Sequence, residues 1–266
     1  MDLGTILGIV LSGVIIVVVM ILDGGNPAEL VTHPAPILLT LVGSLMATMA
    51  TTSLGNVLKL PKYLIIAIKE PHYKAEEAIE NLAKMADKAR REGLLALEEE
   101  SKKIKDPFLQ KGIMLVVDGV DPAQVKSILH TQIEHMQERH EAGIHIFNTA
   151  GGFAPTFGII GTVMGLISVL KELDNPAKLA TSIAAAFLAT LWGLLSSNLI
   201  YLPLGGKLKH KDAEEVAFKT MLLEGILSLQ AGENPRIVRE KLQAFLPPAA
   251  VAKAAAASGK KEKAGA

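Results

Sequence analysis

Hydrophobic positions in this chain gather into four runs free of Asp, Glu, Lys, Arg and His, at residues 3–22, 35–58, 146–170 and 179–206. Each is long enough to supply the roughly 20 apolar residues that a helix needs to cross a bilayer. Nothing alternates with the period of two of a half-buried strand, and no strand–helix–strand pattern recurs. The pattern predicts an all-α membrane protein with four transmembrane helices and a large helical cytoplasmic segment between the second and third. In that segment Ile79, Leu82, Ala83 and Ala86 recur at helical spacing among charges within 73–105. From Ala123 onward, Val125, Ile128, Leu129, Ile133 and Met136 are expected to share one face. Pro107 and Asp118-Gly119-Val120-Asp121-Pro122 read as breaks. No stop precedes residue 146, so the last block is expected to continue into the third span as one helix.

The segments expected are transmembrane helices 1 and 2 over 1–58, a cytoplasmic helical domain over 59–145 and transmembrane helices 3 and 4 over 146–206. Cytoplasmic C-terminal helices follow over 207–246, and Pro247-Pro248 opens a disordered Ala/Lys tail over 247–266. Lys59, Lys62 and Lys69 follow the second run, and Lys207, Lys209 and Lys211 follow the fourth. The turn over 23–33 has Asp23 and Glu29 but no Lys or Arg, and the turn around Lys171, Glu172, Asp174 and Lys178 is neutral. The positive-inside rule then puts the middle segment and both termini in the cytoplasm, as expected of a multi-pass membrane protein. The first run follows Met1-Asp2 directly, with no basic leader or small-residue cleavage site, so a retained helix is expected.

Composition removes several functions. The 27 Lys and Arg balance 27 Asp and Glu, leaving no field to attract nucleic acid. The absence of cysteine excludes disulfides, thiolate metal sites and cysteine nucleophiles. His130, His135, His140 and His145 recur every five residues. That spacing turns successive rings by about 140° on a helix, so no metal site is expected of them. Gly151, Gly152, Gly158, Gly161 and Gly165 lack the Gly-Lys-Ser/Thr of a phosphate loop; Gly161 and Gly165 instead form a small-xxx-small pair for close helix packing. No nucleophile–base set appears, no cofactor is implied and no enzyme is expected.

What remains lies in the last two runs. Residues 154–166 form an apolar, glycine-dotted stretch with Pro155 near its start and Thr162 inside; residues 187–193 hold Thr190 and lead to Pro203. Each proline reads either as a helix-end signal or as a hinge, and their common placement toward one membrane face favours the hinge. A membrane threonine ordinarily bonds back to its own helix. Two on consecutive spans can instead present oxygens to a dehydrated hard cation. No ionisable group interrupts any run, whereas membrane ion relays normally contain one. If ions pass, a partner helix must bring the titratable group.

These two runs resemble those of the MotA/TolQ/ExbB group. The chain from residue 1 to about 246 resembles the flagellar stator subunits of the MotA/PomA type within that group. Arg90-Arg91-Glu92-Gly93 with the following 94–98 is similar to the family's rotor-contact segment. The resemblance implies a homopentamer around a dimer of MotB/PomB, whose aspartate carries the ion. It further implies torque passed to the rotor protein FliG through Arg90 and Glu98, and conformational coupling at Pro155 and Pro203. An ion pathway at Thr162 and Thr190 follows, with Na+ expected over H+ because PomA-like members carry Gly-Thr where this chain has Gly161-Thr162. Apart from these proteins, the expected partner is membrane lipid. Two alternatives stand beside it: an ExbB/TolQ-type energiser of outer-membrane transport, normally of three spans, and a membrane scaffold without ion flow.

Overall fold

The computed structural model describes residues 3–69, 73–171, 174, 176–248 and 251. Every regular element among them is helical. In chain order these are α1 (Leu3–Leu22), α2 (Pro34–Met49), α3 (Leu60–Ile68), α4 (Ala75–Glu92), α5 (Pro107–Val117), α6 (Pro122–Lys171), α7 (Pro176–Leu195), α8 (Leu202–Gln230) and α9 (Pro235–Gln243). A π-turn lies inside α2 at Leu38–Val42, and another at Ser196–Tyr201 joins α7 to α8. The chain forms two compact units, Met1–Pro71 with Arg139–Lys211 and His72–Glu138 with Asp212–Ala266. Expectations for Glu172 and for the tail beyond 251 fall outside the described residues.

In the first unit, three helical stretches are long and apolar enough to cross a membrane: Gly4–Leu22 and parts of Pro122–Lys171 and Lys178–Gln230. α1 is apolar all round and buries none of its described residues against the chain, the mark of a helix solvated by lipid. Its 20 residues measure about 30 Å, matching the hydrocarbon thickness. α6 is a single helix of 50 residues, about 75 Å, as its missing stop signal predicts. Asp121 opens it by accepting from the Ala123 amide at 2.9 Å.

The expected unbroken span over 35–58 is corrected. α2 ends at Met49, the chain turns through 50–53, and helix resumes at Leu54–Val57 and then in α3. At 16 residues α2 is about 24 Å long, so freedom from charge did not mean continuity of the helix. Ala50-Thr51-Thr52-Ser53 breaks it, because hydroxyl side chains compete for the backbone; Thr51 Oγ1 donates to Thr48 O at 2.9 Å. α2 also hides a polar stripe. Thr40, Ser44 and Thr48, one turn apart, are all buried and each donates to the carbonyl four residues back.

The second unit has a conventional apolar core of Leu82, Leu97, Ile113, Leu129, Leu222 and Ile226 with their neighbours. Ile79, Leu82, Ala83 and Ala86 are buried along α4 as their spacing predicts. Val125, Leu129, Ile133 and Met136 are buried on α6, whereas Ile128 lies off that stripe and is exposed. Asp106 caps α5 by accepting from the Phe108 and Leu109 amides at 2.9 Å, and Lys219 holds its other oxygen at 3.2 Å.

Candidate functional site

α6 and α7 meet along a seam made almost entirely of small residues. A methyl added at Gly158 would lie 2.9 Å from Ala189 O, and one at Gly193 would lie 2.8 Å from Ala154 O and 3.0 Å from Gly158 Cα. The obstacles are backbone atoms, so the two main chains touch and only glycine fits. Gly165 packs closely against the Cβ and Cα of Ala186, and Gly161 against the side chains of Ala189 and Leu39. The small-xxx-small pair therefore serves helix packing, as the sequence suggests.

This closeness brings Thr162 and Thr190 together. Their hydroxyl oxygens are hydrogen-bonded to each other across the seam. Thr162 Oγ1 also lies 3.1 Å from Gly158 O, one turn back on its own helix, and 3.0 Å from Ala186 O on α7. Three oxygens thus gather around the Thr162 hydroxyl, one from the Thr190 hydroxyl and two from backbone carbonyls. Both threonines are half-buried. The back-bond ordinary for a membrane threonine is present at Thr162, and the contact across the seam is added to it.

Proline accounts for the next level of the seam. Pro155 lies inside α6 and has no N–H for the carbonyl four residues earlier, which is Gly151 O. Ser197 Oγ donates to that oxygen at 2.7 Å, with both residues buried. Ser197 belongs to the π-turn Ser196–Tyr201, where the Leu202 amide bonds Ser197 O five residues back. The wider turn directly precedes Pro203 and relieves the clash its ring makes with the preceding turn. Gly151 packs against Leu202 and Tyr201, so the irregularities at the two prolines adjoin. Tyr201 continues the contact by donating to Leu41 O at 2.8 Å, beside the π-turn of α2.

Two further residues of this unit have roles that the sequence reading did not find. Trp192 Nε1 donates to Leu30 O at 2.7 Å, tying α7 to the short helix Glu29–Thr32. Lys211, read from sequence as one of the positive charges that follow the fourth run, is 6% exposed. Its ammonium donates to Ile66 O and Ala67 O at 2.7 Å and to Lys69 O at 2.5 Å, capping the C-terminal end of α3.

Arg90 and Glu98 belong to the second unit. Arg90 is exposed on the last turn of α4, which stops at Gly93, where φ is +84° and a side chain would be strained. A 3₁₀ turn over Leu94–Leu97 follows, pinned by the fully buried Leu97 while Leu95 is 75% exposed. Glu98 is exposed and pairs with Lys102 at 3.4 Å; Arg90 has no ion pair among the described residues. Lys88 and Lys103 sit 3.1 and 3.2 Å from Glu100 and lower its carboxyl pKa, the hydrogen bond from Lys88 contributing most. The histidines pair locally, His130 with Glu134 at 3.8 Å and His135 with Glu138 at 2.7 Å.

Comparison with known proteins places this geometry. Residues 100–221 match the model of the MotA/TolQ/ExbB proton channel family, a range that includes Pro155, Thr162, Thr190 and Pro203 but not Arg90 or Glu98. The chain is 42% identical over 212 residues to motility protein A of Borreliella burgdorferi, covering 80% of this chain and 82% of the relative. It is 41% identical over 248 residues to motility protein A of Helicobacter pylori, covering 93% and 96%. The solved structure of C. jejuni MotAB superposes with a TM-score of 0.89 at 35% identity, covering 93% of this chain and 97% of that one.

Proposed function

This chain belongs to the MotA/TolQ/ExbB family and, within it, to the motility protein A group, and on that premise we propose that it is an ion-driven stator subunit of the flagellar motor. The observation that carries the mechanism is the oxygen cluster of Thr162, Thr190, Gly158 and Ala186 on a seam without any ionisable side chain. A cation can exchange hydration oxygens for such a cluster, but membrane ion routes normally also contain an ionisable carrier. The carrier therefore comes from a second chain. A MotB/PomB-type dimer encircled by five copies of this one supplies it, in keeping with the MotAB complex that this chain resembles.

In this reading four helices cross the inner membrane, α2 serving as a short second span, and both termini are cytoplasmic. Sodium is the coupling ion, with Thr162 and Thr190 as transient ligands. Passage works the proline-marked segments around Pro155 and Pro203, and Arg90 and Glu98 engage the rotor protein FliG. The exposure of both charges, on either side of a turn pinned by Leu97, supports their role as a contact surface.

Tethered-cell rotation tests this reading in a stator-deficient host expressing the chain with its native partner. Sodium is replaced by potassium at constant pH and membrane potential. Loss of rotation without sodium is the expected result. Rotation indifferent to sodium makes the coupling ion a proton, and no rotation under any ion removes the stator function. Thr162→Ala is expected to abolish sodium-dependent rotation, and unchanged rotation would sink a ligand role for its hydroxyl.

A further inference from the structure

One large apolar side chain of the second unit takes no part in its core. Leu95 is 75% exposed, and the next most exposed large hydrophobic described in that unit, Ile237, reaches only 49%. The turn that carries Leu95 is fixed by its own hydrogen bonds. The Gly93 amide bonds Ala89 O at 2.9 Å as α4 ends, and the Ala96 amide bonds Gly93 O at 3.2 Å. Residues three apart eclipse in a 3₁₀ turn. Leu94 and Leu97 therefore share the inner side, where both pack into the core, and Leu95 shares the outer side with the exposed Glu98. The register of the turn, not looseness, holds Leu95 in water. A lone exposed leucine is ordinary on a protein surface. This one is held by a buried leucine two residues on, with Arg90 exposed before the turn and Glu98 exposed after it. Arg91, beside Arg90 on the last turn of α4, is taken up by Asp87 at 2.8 Å, whereas Arg90 has no ion pair among the described residues.

We propose that Leu95 is the apolar anchor of the rotor contact, seated in a hollow of the rotor surface, with Arg90 and Glu98 as its polar rim. The occupant follows from continuity. Leu95 lies between the two charges that the proposed function gives to the rotor protein, so one surface covers all three. The inference rests on that assignment and goes beyond it in naming what gives the contact its strength. Exposed charges are screened by salt and pair weakly. They steer and orient an encounter, while an apolar side chain withdrawn from water at the centre supplies most of the binding. A contact that bears load through Arg90 and Glu98 alone would slip, and Leu95 resists that slip.

Tethered cells of the stator-deficient host, restored one stator complex at a time, read the torque of each complex. Leu95→Ser is expected to lower that torque by at least about threefold, because truncating an anchor costs more than truncating its rim. Ion conductance through the complex and the unfolding midpoint should stay at the parent's values, since the site is exposed. Leu95→Met keeps an apolar side chain of similar volume and should keep most of the torque. Ile237→Ser, at an exposed apolar site of the same unit, should turn the rotor as the parent does. Parental torque from Leu95→Ser overturns the proposal, as does an equal loss from Leu95→Met or from Ile237→Ser. Conductance falling in step with torque overturns it too. Leu95→Cys would be the sole cysteine of the chain, and a disulfide between two copies would give this surface to a second copy in place of the rotor. A parent complex that turns no rotor removes the stator reading, and the anchor with it.

Discussion

Replacing Ser197 by alanine removes the donor that Gly151 O receives across the seam at 2.7 Å. The carbonyl lacks its ordinary helical donor, which would be the N–H that Pro155 does not have. A buried acceptor left unsatisfied costs about 1–3 kcal/mol. Hydrogen bonds between side chains in membrane proteins average only about 0.6 kcal/mol, because the unfolded reference also finds partners. Here the acceptor is a buried backbone oxygen, so a cost of about 2 kcal/mol is expected in reversible unfolding from mixed micelles. The discriminating comparison is a double-mutant cycle with Pro155→Ala. That substitution returns an N–H to position 155 and with it an ordinary helical bond to Gly151 O. Ser197→Ala should then cost about 0.5 kcal/mol, leaving a coupling energy of about 1.5 kcal/mol. An equal cost for Ser197→Ala in both backgrounds would refute the link between proline and serine.

The remaining predictions probe other parts of the molecule. Gly193→Ala drives a methyl against Ala154 O and Gly158 Cα, so the helices must separate; a loss of about 1–3 kcal/mol is expected, whereas Gly206→Ala, which meets nothing, should be near neutral in the same unfolding assay. Lys211→Met strips three carbonyls at the end of α3 of their cap and is expected to lower stability by about 2–3 kcal/mol. Exposed Lys209→Met should stay within about 0.5 kcal/mol. Lys88→Gln should raise the Glu100 pKa toward the ordinary carboxylate range, read by carbon-detected NMR titration. A carboxylate with a lowered folded pKa stabilises above its unfolded pKa and loses that contribution as pH falls through the folded one. The substitution should therefore lessen the acid sensitivity of the second unit, and an unshifted Glu100 titration would contradict the pairing.

Features that depend on side-chain period and local caps are legible in the sequence; those that depend on backbone atoms are largely not. The buried face of α4, the run of α6 past residue 146 and the caps at Asp106 and Asp121 are set by neighbours within a few positions. Thr162 and Thr190 stand out as hydroxyls in charge-free runs, but that they touch depends on Gly158 and Gly193 letting two main chains meet. Ser197 leaves a usable signal that the sequence reading did not take. A proline inside a helix orphans the carbonyl four residues back, so Pro155 names Gly151 O as an acceptor in search of a donor. The donor's identity requires the fold. Lys211 misleads for the opposite reason: a lysine after an apolar span reads as a membrane-boundary charge, and only the nearby end of α3 turns it into a cap.

The seam also joins features that the sequence shows singly. The contacts Gly151–Ser197, Gly158–Gly193, Thr162–Thr190 and Gly165–Ala186 step along α6 and α7 in opposite chain directions. Thr190 and Ser197 are seven residues apart, which on a helix puts them within about 20° of the same face. One continuous helical stretch, running from α7 into the π-turn, therefore carries both the hydroxyl facing Thr162 and the hydroxyl that takes up the carbonyl freed by Pro155. Bending α6 at Pro155 moves Gly151 relative to Gly158, and the stretch from 190 to 197 must follow one or the other. With Ser197 bonded to Gly151, a displacement at the oxygen cluster is transmitted to the bend; without that bond, Thr190 moves alone. Under the proposed function, Ser197→Ala should leave ion conductance through the complex within about twofold of the parent. Torque per ion should fall severalfold, because the lost bond of about 2 kcal/mol is a link in the coupling and not a ligand. Conductance and torque falling in the same proportion would instead place Ser197 in the ion route itself.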